Sequence, residues 1–136
     1  VSGPDVGTLP ARVAEALAGY TGPVAVMSFN PHVMAAFRKA APEIAVGLTT
    51  CGYDAGEWPL LDADARAHLG AIADFDAVGA GFISHDRADL DNPAVAALKA
   101  RGVPVLCWTI QSPAQEMDAR RIADNITFEQ YRPEMP

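Results

Sequence analysis

The sequence predicts an α/β fold built from parallel βα repeats, and three observations carry this. Short apolar runs alternate with segments of helical spacing about four times, and a last apolar run closes the series. A cap residue followed at once by proline recurs at Asn30-Pro31, Asn92-Pro93 and Ser112-Pro113, each time just after an apolar run or the loop behind it. The run Val103-Pro104-Val105-Leu106-Cys107-Trp108-Thr109-Ile110 is apolar on both faces, as a parallel strand covered on both sides requires. Such alternation gives one parallel sheet with right-handed crossovers. The turns at Asn30, Asn92 and Ser112 then share its carboxyl edge, where α/β proteins place their chemistry.

Each element has a local reason. Residues 1–10 hold Gly3, Pro4, Gly7 and Pro10 and read as an irregular lead-in. Val13, Ala14 and Leu17 mark a helix face within 11–20, ended by Gly19 and Gly22-Pro23. Residues 24–29 form the first strand. Asn30 caps a helix bearing Val33, Phe37 and Ala40 on one face, and Pro42 stops it. Residues 44–50 form the second strand and 52–59 a longer loop. Asp62 caps a helix over about 63–73. A third strand is expected over 77–84, with Gly79-Ala80-Gly81 inside it, then a polar loop over 85–91. The next helix starts at Asn92 and closes at Gly102. After the strand at 103–110, Ser112 and Gln115 have the residue types of a capping box, for a helix to about Ala123. Residues 125–128 are the final strand, and Pro133 and Pro136 leave a frayed tail.

Composition narrows the function classes. With 136 residues, one α/β domain over 1–136 is the expectation. A net charge of −7 argues against nucleic-acid backbones and anionic membrane surfaces as partners. No apolar run is long enough for a membrane span, and no signal-peptide pattern is recognised. The sequence begins at Val1 and not at Met, which leaves open a preceding segment; a cytoplasmic location is expected. Two cysteines make no disulfide framework: Cys107 reads as a small buried hydrophobe in a strand, and Cys51 lies in a loop beside Gly52.

Two architectures fit the pattern, a small doubly wound sheet and part of an eight-stranded barrel. Neither glycine-rich phosphate motif is present, G-x-G-x-x-G or G-x-x-x-x-G-K-[ST]. One polar cluster has ligand chemistry: His85-Asp86 with Asp89 and Asp91. It reads either as a hard-cation loop or as a solvated loop in which Asp91 or Asn92 caps the next helix. His32 and His68 read as surface residues.

Two stretches resemble the glycerophosphodiester phosphodiesterase family. Val24-Ala25-Val26-Met27-Ser28-Phe29-Asn30-Pro31, followed by Phe37-Arg38-Lys39-Ala40-Ala41-Pro42, is similar to the family's strand ending in Ser-Phe and the helix after it. Gly102 to Ile110 resembles its late strand ending in Trp-Thr, and Ala123-Asp124-Asn125-Ile126-Thr127 its final strand. The resemblance implies a partial TIM barrel, about strands four to eight of a (β/α)8 barrel. It also implies metal-assisted hydrolysis of a glycerophosphodiester to glycerol 3-phosphate and an alcohol. A divalent ion, Mg or Ca, would act with catalytic histidines.

The departures are large. The family's His-Arg-Gly, the acidic metal ligands after it, the second catalytic histidine and the Glu-x-Lys strand have no counterpart. Thr127-Phe128-Glu129 stands where the family usually has Thr-Asp. The sequence therefore assigns no catalytic residue and no metal ligand. Phe29 and Trp108 are the substrate-binding candidates, facing the organic part of the substrate from strand ends; each also reads as core. Ser28 and Thr109 either donate near a phosphate or satisfy local backbone. Two expectations follow. Either the chain is the C-terminal part of a phosphodiesterase-like barrel, inactive alone and self-associating or pairing with the missing barrel half, or it is a non-catalytic α/β binding or association module.

Overall fold

The computed structural model describes residues 3–133. Its elements in chain order are α1 (Leu9–Leu17), β1 (Ala25–Ser28), α2 (Pro31–Ala40), β2 (Ala45–Thr50), α3 (Ala63–Gly70) and α4 (Phe75–Val78). They continue with β3 (Phe82–Asp86), a 3-10 turn (Arg87–Asp89), α5 (Pro93–Ala100), β4 (Val105–Ile110), α6 (Pro113–Ala119) and β5 (Asn125–Phe128). The five strands form one sheet in the order β1-β2-β3-β4-β5, and every pair is parallel. A doubly wound sheet reverses its strand order at a switch point. Here the order never reverses, which is the connectivity of a partial (β/α)8 barrel.

The caps act as their residue types require. The Asn30 side chain accepts from the His32 N–H, Asp62 from Ala65, Asn92 from Ala94 and Ser112 from Gln115. Gln115 reaches back to the Gln111 N–H at 2.7 Å, one residue before the cap. Gly102 closes the turn after α5 with a φ of 80°, a conformation that costs a residue with a Cβ.

The third strand corrects the expectation over 77–84. Phe75 and Val78 are spaced for a helix and both bury, so residues 75–78 form α4. Gly79 ends that helix left-handed, at a φ of 67°, and so does not lie in a strand. The strand starts later and runs to Asp86. His85 and Asp86 therefore belong to β3 and not to a polar loop.

Strand registers sort the sheet residues onto two faces. Val46, Leu48, Ile83, His85, Val105 and Cys107 lie on one face and are all buried. Met34 and Phe37 of α2, Phe75 and Val78 of α4, and Val95 and Leu98 of α5 cover it. Fully burying one such side chain stabilises by about 1.5–3 kcal/mol. The opposite face carries Met27, Gly47, Phe82, Ser84, Leu106 and Trp108 in matched registers. Among the described residues no helix covers it, and Met27 is 45% exposed. The expectation that the strand at 103–110 is covered on both sides is thus met on one face only.

Candidate functional site

An aromatic cluster forms where the open face reaches its carboxyl edge. Phe29 follows directly on β1, and Trp108 lies in β4 beside Asp86 of β3. Their rings meet edge to face, 5.5 Å between centroids. Trp58, from the segment between β2 and α3, packs on Phe29 at 5.4 Å and on Tyr53 at 5.2 Å. Such pairs contribute about 0.5–1.5 kcal/mol beyond area burial. Cys51, Tyr53 and Leu69 form the buried base of the cluster; Phe29, Trp58 and Trp108 are half-buried. The Trp108 indole N–H donates to the Ser84 carbonyl at 2.9 Å, which fixes the ring on the sheet.

The structure thus brings both substrate-binding candidates into contact. The sequence reading passed over Tyr53 and Trp58, although two aromatics within a loop of Gly, Asp and Glu were a usable signal. Ser28 serves local backbone, its hydroxyl accepting from the Asn30 N–H at 3.0 Å. Thr109 is half-buried next to Trp108. Both cysteines are free and buried. Burial pushes the Cys51 thiol up and raises Cys107 to about 11. Neither is a thiolate near neutral pH, so neither offers an activated nucleophile.

The polar cluster around His85 does not form a cation loop. His85 is fully buried on the helix-covered face. Its Nδ1 is 2.8 Å from Thr50 Oγ1, and its Nε2 is 3.0 Å from the Asp89 carbonyl and 3.1 Å from the Asp89 carboxylate. Asp89 accepts from the Asn92 amide at 2.8 Å, and Asp86 accepts from the Ala88 N–H. Asp91 is exposed. Both ring nitrogens are already partnered, and the carboxylates serve turns. Among the described residues, no group of three or more His, Cys, Asp and Glu is arranged to hold a metal ion. A divalent ion does not fit these side chains. His32 is exposed, and His68 is an exposed partner of Asp74 at 2.8 Å. Among the described residues, no helix is long and apolar enough to cross a membrane.

No family model and no curated protein matches this sequence. Eight solved chains match in structure. Among them is a phosphodiesterase from Oleispira antarctica, solved in complex with the product sn-glycerol-3-phosphate. The match has a TM-score of 0.67 and 19% identity, and it covers 88% of this chain and 44% of that one. The chain thus spans less than half the length of the phosphodiesterase it matches. The likeness is one of fold, and it agrees with the sequential parallel sheet: this chain is similar to part of a phosphodiesterase barrel.

Proposed function

We propose that this chain is the C-terminal part of a glycerophosphodiester phosphodiesterase-like hydrolase, corresponding to about strands four to eight of the barrel. Its role is to wall the substrate's organic part and not to supply the reacting groups. The observation that supports this most is the meeting of Phe29 and Trp108 at the carboxyl edge of a sheet whose fold matches a phosphodiesterase. Water would displace the alcohol from phosphorus, leaving glycerol 3-phosphate. The chain's contribution is apolar: half-buried rings that exclude water beside the ester and orient its organic groups. The acid, the base and the divalent ion, Mg or Ca, belong to residues outside those described.

The same reading assigns a partner and a location. Among the described residues, two sheet edges and one sheet face are open, with Met27 and the β5 residue Phe128 exposed. Parallel sheets are ordinarily covered on both faces. The open surface is therefore assigned to the missing barrel half or to a second copy of this chain, in the cytoplasm.

Release of glycerol 3-phosphate from a glycerophosphodiester tests the proposal, with divalent metal and with chelator. Light scattering and an apolar-surface dye accompany it. The expected result is no release, with self-association or strong dye binding. Chelator-sensitive release by the chain alone would overturn the assignment of catalysis to outside residues. No release from a dye-silent monomer would favour the self-sufficient binding module.

A further inference from the structure

We propose that His85 is a positioning residue for the aromatic wall, acting through the segment that carries Tyr53 and Trp58. This rests on the reading of that wall as a substrate surface. The His85 side chain lies on the opposite face of the sheet from Trp108. It acts through a chain of hydrogen bonds that grips the segment from β2 to α3 near both ends.

At the near end, His85 meets Thr50, the last residue of β2, at 2.8 Å. Its other nitrogen meets Asp89, whose carboxylate packs on Gly52: a Cβ built there would lie 3.2 Å from Asp89 Cγ. Tyr53 follows with a φ of 52°, a left-handed conformation that needs support from its surroundings. At the far end, Asn92 donates to Asp89 at 2.8 Å and to the carbonyl of Gly70, the last residue of α3, at 3.3 Å. Between these grips, Trp58 leans on Phe29 and Tyr53.

The bonding pattern also specifies the ring. A carbonyl only accepts, so Nε2 carries the proton toward Asp89. In the neutral imidazole, Nδ1 then accepts from the Thr50 hydroxyl. Every hydrogen-bonding site of the buried ring is used. A valine at position 50 keeps the branched shape of threonine and replaces the hydroxyl with a methyl that cannot hydrogen-bond.

The test reads Trp58 directly. Trp108→Phe leaves Trp58 as the sole tryptophan of the two. In that background, Thr50→Val should raise acrylamide quenching of Trp58 about twofold as the segment loosens locally, while unfolding in urea stays cooperative. Thr50→Ser should restore the parent value. Asn92→Asp keeps the cap oxygen and removes the amide donor, so it should loosen Trp58 from the far end. Unchanged quenching in both Thr50→Val and Asn92→Asp overturns the inference. So does quenching that rises only together with loss of cooperative unfolding, because that reports general instability. No substrate is used, so failure of the hydrolase reading leaves this result standing, and failure here leaves that reading standing.

Discussion

The two faces of the sheet are built on opposite plans. The face under the helices is a dry core: Val46, Ile83, His85, Val105 and Cys107 show no exposed surface. His85, the polar ring on that face, has partners on both nitrogens. The other face has half-buried rings, a glycine at position 47 and the buried hydroxyl of Ser84, which has no partner among the described residues. Phe82 lies across Gly47 so closely that a Cβ there would meet its ring at 2.4 Å. An orphan buried hydroxyl costs about 1–3 kcal/mol. One face therefore holds the fold together, while the other carries an unpartnered polar group and leaves apolar surface exposed.

Paired truncations test this contrast most strongly. Ile83→Ala on the covered face should cost about 4 kcal/mol, and Met27→Ala on the open face less than about 0.5 kcal/mol, by urea unfolding. Equal costs would mean that the open face is closed in solution. Next comes Trp108→Ala. A fully buried tryptophan would cost about 3–5 kcal/mol, but Trp108 is half-buried, so about 2–3 kcal/mol is expected. Trp108→Phe isolates the bond to the Ser84 carbonyl and should cost about 1 kcal/mol.

A smaller effect concerns acid. The Asp124 carboxyl is held below its ordinary range first by its hydrogen bond from Lys99 and then by the Val105 N–H. A lowered native value stabilises the fold above the ordinary carboxylate range, and that contribution disappears as pH falls through the lowered value. The pair is exposed and screened, so Asp124→Asn should remove only about 0.5 kcal/mol. The loss should appear at neutral pH and vanish in acid, as urea midpoints across pH would record. Thiol labelling sharpens the contrast without an energy. Both cysteines should resist a maleimide near neutral pH in the native chain, with Cys51, at the open edge, reacting before Cys107. Equal rates would show that the two environments are alike.

The repeat pattern was legible because its signals are local. Asn30-Pro31, Asn92-Pro93 and Ser112-Pro113 each start a helix where expected, and Cys107 is buried in its strand. The third strand was misplaced because Gly79 suits a strand irregularity and a left-handed helix end equally well, and only the burial of Phe75 and Val78 decides between them. The candidate site was half legible. Phe29 and Trp108 stand out by their place after apolar runs. Trp58 joins them through a segment whose path depends on Asp89 and Asn92, tens of residues away.

By itself the sequence determined the alternation, the caps and the parallel sheet, because helix starts and apolar periodicity act over a few residues. It also determined that the fifth strand is the last in the described chain and that two aromatics stand near strand ends. Only the tertiary structure decided between a reversed and a sequential strand order, since βα repeats look the same in both. Only it moved His85 from an expected polar loop into the core. The bounds of the third strand separate those roles, and they follow from side chains packing across the sheet, which no single stretch of chain contains.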